Sequence, residues 1–218
     1  MIAFVVALRN EAKYLINNLD EIKETKLLDK PCYLGKLNNH NVVIAISGIG
    51  KVSAALTTQK LIDEYKPKAI INFGSAGGVS NDIEIGNYYQ INSCCQPDFD
   101  VTEIDNVEVG YIQEYDRVYF DTNDINLSFL NKKRLATTDK FCSKEEFINL
   151  LIKMGCNIRD MEGSAIAQVC TSNQMPLIII KGITDVYGSG NDGEQFVKNL
   201  DKICKGFPEI IKNAMNEI

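Results

Sequence analysis

Short β-branched apolar runs alternate along the chain with stretches whose apolar residues recur every three or four positions. Residues 2 to 8 read as a strand, after which Ala12, Leu15, Ile16 and Leu19 share one helical face. Tyr33 to Leu37 and Val42 to Ile46 read as a hairpin turning through Asn38-Asn39-His40-Asn41. Val52, Ala55, Leu56, Leu61, Ile62 and Tyr65 form the stripe of a second helix, which Pro67 closes before a strand from Ala69 to Phe73. From Asn87 to about Thr138 the segments are short and β-rich. Helices are predicted over Lys144 to Met154, Glu162 to Asn173 and Gly193 to Met215, with a strand from Leu177 to Lys181 between the last two. No linker, repeat or low-complexity tract interrupts the pattern.

This alternation predicts an α/β fold, with a mostly parallel or mixed sheet covered by helices on both faces. The 218 residues fit a single domain, 1–218, able to bury its own core. In such sheets ligands bind beyond the carboxyl ends of the strands. Glu11, Gly48-Ile49-Gly50-Lys51, Gly74-Ser75-Ala76-Gly77-Gly78, Glu162 and Asp185 each follow an apolar run, so five loops are expected to share one mouth.

Composition narrows the chemistry. A net charge of -6, with arginine only at 9, 117, 134 and 159, argues against a nucleic-acid backbone as partner and fits a small, nearly neutral substrate. The seven cysteines are odd in number, with Cys94 and Cys95 adjacent, and imply no disulfide framework. The apolar start is one strand long and lacks the marks of a signal peptide, and no apolar stretch approaches the roughly 20 residues of a membrane span. A reduced, cytoplasmic location is expected. The single histidine, His40, sits in a predicted turn, so Ser-His-Asp and Cys-His catalysis are disfavoured, and neither a metal site nor a cofactor is expected. No Walker motif or complete dinucleotide fingerprint occurs, which disfavours NTP and NAD.

Acids at the edge of a core lose hydration, so a chain that places several there is read as an enzyme. Plainer readings stand beside this one. Gly48-Ile49-Gly50 also fits an ordinary tight turn, Glu11 and Glu162 also fit first-turn helix acids, and Asp185 also fits a cap or a partner for Lys181. For Gly74 to Gly78 the functional reading is favoured, because small residues after a buried strand let a ligand approach the backbone.

Ala7-Leu8-Arg9-Asn10-Glu11, Ser47 to Ala55, Ile71 to Gly78, Asp98 to Thr102, Asp160-Met161-Glu162 and Ile183-Thr184-Asp185 occur in the order seen in the nucleoside phosphorylase type I family. The chain resembles that family over nearly its whole length, and within it the 5'-methylthioadenosine/S-adenosylhomocysteine nucleosidases. The resemblance implies a central mixed sheet forming a partial barrel, usually in a homodimer. It implies cleavage of the glycosidic bond of a purine nucleoside by water, releasing adenine and a 5'-thioribose. A phosphorylase that uses phosphate, and a catalytically silent nucleoside-binding protein, are the alternatives. Arg9, Lys51 and Lys181 are the only cations expected near the mouth, few for a phosphate dianion.

By the same resemblance, Asp185 donates a proton to purine N7, oriented by a hydrogen bond from Ser75, and Glu11 polarises the attacking water. Glu162 binds the ribose hydroxyls and Met161 packs against the sugar. Phe141 stacks on the purine while the Cys142 backbone reads its edge. Ile49 and Leu8 line the 5' side, and Gly77 permits close approach. Two features depart from that branch: the segment between Thr102 and Asp139 is shorter, and Lys181 stands in place of an arginine. Tyr187 to Gly193 reads as a lid or as a simple connection.

Overall fold

The computed structural model describes residues 1–218 except 81, 123, 124, 142 and 143. Among them run strands β1 (Ile2–Val6), β2 (Asp20–Leu27), β3 (Lys30–Leu37), β4 (His40–Ile46), β5 (Ile70–Gly78), β6 (Tyr88–Cys95), β7 (Phe120–Asp121), β8 (Lys132–Thr137), β9 (Ile158–Asp160) and β10 (Leu177–Val186). The helices are α1 (Arg9–Ile16), α2 (Lys51–Tyr65), α3 (Glu145–Lys153), α4 (Gly163–Ser172) and α5 (Asp192–Met215).

The strands form one mixed sheet in the order β10-β6-β8-β9-β5-β1-β4-β3-β2. Because β10 also pairs with β5, the five strands from β10 to β5 close on themselves as a barrel, and β1, β4, β3 and β2 continue from β5 as an open limb. The apolar runs of β1, β5 and β10 are buried on both faces, as expected where helices cover both sides of a sheet. On one face Phe4, Phe73 and Phe207 of α5 stack in sequence, with Tyr88 edge-on to Phe207. Each such fully buried apolar side chain contributes roughly 1.5–3 kcal/mol, and these contacts press α5 onto the sheet beneath the future site.

Three features differ from the sequence expectation. Strand β2 (DEIKETKL) is exposed at almost every position, so it carries no alternation, and its pairing with β3 alone makes it a strand. Gly74 to Gly78 are not a loop: β5 runs through them because β10 pairs parallel along its whole length and β9 pairs antiparallel at Gly77 and Gly78. Tertiary pairing there overrides the weak strand preference of glycine. Asp185 likewise lies inside β10, just past a bulge between Ile183 and Asp185.

One edge of β5 changes neighbour. It pairs with β1 from Ile70 to Asn72 and with β9 from Gly77 onward, so Phe73 to Ala76 have no strand on that side. The sheet opens there, and the amino ends of α1 and α4 flank the opening.

Candidate active site

A cavity of about 470 Å³ occupies the opening, lined by Leu8, Glu11, Ile49, Ser75, Gly77, Phe141, Met161, Glu162 and Asp185, and also by Lys140 and Arg159. Every described site residue expected from the sequence therefore faces one space. Cys142, the remaining one, lies outside the described residues.

Glu11 is the third residue of α1 and is buried. Its Oε2 accepts the Leu8 N–H at 3.1 Å, which is the plain capping role. Its Oε1 accepts the Ser75 N–H at 2.7 Å and the Ser75 hydroxyl at 2.6 Å. That N–H lies on the stretch of β5 between its two neighbours, so the carboxyl occupies the place of the missing strand. A side chain at Gly74 would put Cβ 3.1 Å from Glu11 Oε1, so the glycine makes room for the acid.

Ser75 thus serves Glu11, not Asp185 as expected. The register explains this: Gly182 sits opposite Ser75, while Asp185 sits opposite Gly77, two residues further along β5. A Cβ at Gly77 would lie 2.6 Å from Asp185 Oδ2 and 2.8 Å from Arg159 Nε, so the glycine clears space for that pair. Asp185 is 1% exposed. Its Oδ1 accepts the Thr184 hydroxyl at 2.8 Å, and Arg159 Nη2 stands 3.3 Å from Oδ2. Burial, helped by the nearby Asp192, pushes its carboxyl above the usual range against the pull of Thr184 and Arg159. Asp185 neither pairs with Lys181 nor caps α5; Asn191 caps α5 by accepting the Glu194 N–H.

Glu162 holds the N-cap position of α4, but its side chain does not cap the helix. Asp160 Oδ2 accepts the Gly163 N–H at 2.8 Å, and Thr137 Oγ1 accepts the Ser164 N–H at 2.8 Å. Glu162 is left to accept the Gly50 N–H at 2.9 Å. Gly50 opens α2 at φ +97°, a conformation that favours glycine. Burial, then the negative Asp160, raise the Glu162 carboxyl to about 7 against Lys181 and the Gly50 N–H.

None of the three cations expected near the mouth lines the cavity. Arg9 is exposed and lies over the Tyr33 ring, and Lys51 pairs with Asp98 at 2.7 Å. Lys181 is buried, 2.8 Å from Asp160; burial opposes its charge, but Asp160 and Glu162 hold its pKa above the ordinary value. Arg159, absent from the expected set, is the guanidinium that lines the cavity, facing Asp185 and Asp192 with the Phe141 ring 5.6 Å away. Its only signal in sequence is its place directly before Asp160-Met161-Glu162.

No described helix is long and apolar enough to cross a membrane, and no group of three or more described His, Cys, Asp or Glu residues is arranged to hold a metal ion.

A 5'-methylthioadenosine/S-adenosylhomocysteine nucleosidase of Buchnera aphidicola is 33% identical over 100% of this chain and 98% of its own. The nucleosidase of the same name from Colwellia psychrerythraea 34H, solved in complex with adenine, superposes with a TM-score of 0.90 at 26% identity, covering 99% of this chain and 94% of that one. The fold is also that of the futalosine hydrolase of Helicobacter pylori, with a TM-score of 0.91 at 23% identity over 100% and 97% of the two chains. The model of the phosphorylase superfamily matches residues 1–215, and the chain belongs to that superfamily.

Proposed function

We propose that the protein is an N-ribosyl hydrolase that cleaves the glycosidic bond of a purine nucleoside, with 5'-methylthioadenosine and S-adenosylhomocysteine as substrates and adenine as the released base. The observation that carries this reading is that Glu11 and Asp185, on different elements, open on one cavity that Glu162 also lines. Glycoside hydrolysis requires two carboxyl groups bracketing the scissile bond.

In this mechanism Asp185 keeps its proton by burial and gives it to purine N7 as the C1'–N9 bond breaks. The ribosyl group gains oxocarbenium character. Glu11, held by three donors, takes a proton from the water that adds to C1'. Glu162 accepts hydrogen bonds from the ribose 2'- and 3'-hydroxyls, and Met161 packs against the sugar. Phe141 stacks on the base, while Leu8 and Ile49 contact the 5' substituent. Water is favoured over phosphate because two of the three cations expected near the mouth are committed to acids: Lys181 to Asp160 and Lys51 to Asp98.

The protein is further proposed to be a cytoplasmic homodimer. Cys32, Cys94, Cys95, Cys156 and Cys204 are buried free thiols, which suits a reducing compartment. Val52 and Leu56, one turn apart on α2, are 80% and 55% exposed and offer an apolar surface beside the cavity residue Ile49.

The test is to incubate the protein with methylthioadenosine, S-adenosylhomocysteine, adenosine and inosine, with and without phosphate, and measure free base. Release of adenine without phosphate is expected; release only with phosphate means a phosphorylase, and no release a binding protein. Asp185→Asn should lower turnover by at least ~10²-fold, the scale of a general acid, while nucleoside binding persists. Undiminished turnover would reject its role.

A further inference from the structure

Asp185, Arg159 and Asp192 form a buried trio of two carboxyls and one guanidinium, with side chains 1%, 9% and 6% exposed. With both acids ionised the trio carries a net negative charge in a poorly solvated place, which is costly. One proton makes it neutral. Resting on the reading of Asp185 as proton donor, we infer that Asp192 and Arg159 are positioning residues: the ionised Asp192 engages the guanidinium, which would otherwise draw charge onto Asp185, and so keeps the shared proton on Asp185.

The geometry decides between the two acids. Arg159 Nη2 stands 2.5 Å from Asp192 Oδ2 and 3.3 Å from Asp185 Oδ2. The first is a short, charge-assisted contact; the second lies beyond the usual N–H···O range. Asp192 is also the first residue of α5, a helix of 24 residues, where unpaired N–H groups favour an anion. Asp185 has no helix end to favour its charge. It sits inside β10 with a Thr184 hydroxyl on Oδ1, so the charge settles on Asp192 and the proton on Asp185. The raised pKa of Asp185 agrees with this placement.

Arg159 also fixes where the acid points. It comes from β9, directly opposite Gly77 of β5, and fills the slot that this glycine leaves open beside Asp185. Its reach to Asp192 ties the end of β10 to the start of α5, bracing the Tyr187-to-Asn191 connection at both ends.

The other charged groups around the cavity are Glu11 of α1, Glu162 and Asp160 before α4, Lys140, and Lys181 of β10 paired with Asp160. They are common to wild type and variants, so the variants isolate the trio. Asp192→Asn removes the anion that engages Arg159, and the guanidinium then draws charge onto Asp185. Arg159→Gln removes the cation and leaves Asp185 facing another acid. The two changes push Asp185 in opposite directions, which loss of a merely structural contact would not do.

The experiment is a carboxyl-carbon NMR titration of the aspartates in wild type, D192N and R159Q, with the Asp185 and Asp192 signals assigned by their loss in D185N and D192N. Asp185 should titrate above Asp192 in the wild type. Its midpoint should fall by about 1–3 pH units in D192N and rise in R159Q. The alkaline limb of kcat/KM for methylthioadenosine should move the same way in each. Asp192 holding its proton to higher pH than Asp185, or both variants moving Asp185 in one direction or not at all, overturns the inference. If either variant fails to fold, the wild-type order of the two titrations decides. If the wild type releases no base, the hydrolase reading fails, and the titration still judges where the proton resides.

Discussion

Replacing Glu162 by glutamine should stabilise the protein at alkaline pH while impairing its activity. The carboxyl rises from an ordinary 4.5 to about 7, first through burial and then through Asp160. The difference, 7 − 4.5 = 2.5 units, corresponds to ~3 kcal/mol at 1.36 kcal/mol per unit. Glu162 interacts with both Asp160 and Lys181, so ~1–3 kcal/mol is the fair range. The sign follows from proton binding. A folded-state pKa above the unfolded value means that the native protein holds the proton more tightly, so stability is complete below about 4.5 and declines as pH rises through about 7. Glutamine is neutral throughout and still offers an oxygen to the Gly50 N–H. Thermal melts of the two proteins at pH 5 and pH 8 read the effect. For a chain of 218 residues, each kcal/mol shifts Tm by roughly 2–4 °C. E162Q should therefore melt several degrees higher at pH 8, with most of that gain gone at pH 5. The same variant should lose turnover, because the charged acceptor proposed for the ribose is gone. A variant equally or less stable at pH 8, or one whose gain ignores pH, would show that burial of this charge does not strain the fold.

Gly77→Ala should cost activity more than folding: its Cβ would sit 2.6 Å from Asp185 Oδ2 and 2.8 Å from Arg159 Nε, and such a displacement of a catalytic group costs on the order of 10²-fold. Steady-state kinetics alongside a melting curve separate the two effects, and unchanged kcat/KM would refute the clearance argument. Val52→Glu combined with Leu56→Glu should shift the protein to a monomer in sedimentation experiments, because charge on a buried apolar face is costly. A wild type that already sediments as a monomer would remove the homodimer.

The elements legible in the sequence are those whose burial shows in one-dimensional periodicity. Strand β1, helix α2 and the first half of β10 are continuous or cleanly spaced apolar runs, and each begins within a residue or two of expectation. Strand β2 was illegible because both its faces meet solvent, and β9 because three residues carry no period. The second halves of β5 and β10 were hidden for another reason: Gly74-Ser75-Ala76-Gly77-Gly78 and Thr184-Asp185 are strand only because neighbouring strands and a bulge hold them there. The acids themselves were legible, since an acid beside an apolar run demands an explanation. Their partners were not. Whether Ser75 meets Glu11 or Asp185 depends on a two-residue offset in register, and Arg159 and Asp192 meet although 33 positions apart.

Five acids crowd one small region, and the way their charges are matched gives each a different role. Asp160 is taken by Lys181 and by the first turn of α4, and Asp192 by Arg159 and the start of α5. Glu11 receives three donors from the chain itself. Glu162 receives one N–H, and Asp185 one hydroxyl and one long contact to an arginine already committed elsewhere. The two least compensated acids are also the two whose carboxyls burial pushes upward. For Glu162, on the proposed mechanism, the sugar hydroxyls supply the donors it lacks. Asp185 has no such supply and lies deeper, so the least demanding state for it is the neutral acid, the form a departing purine needs from a proton donor. On the proposed mechanism, carboxyl groups alone thus serve as proton acceptor, sugar ligand and proton donor, through the number and charge of the partners that the fold assigns to each.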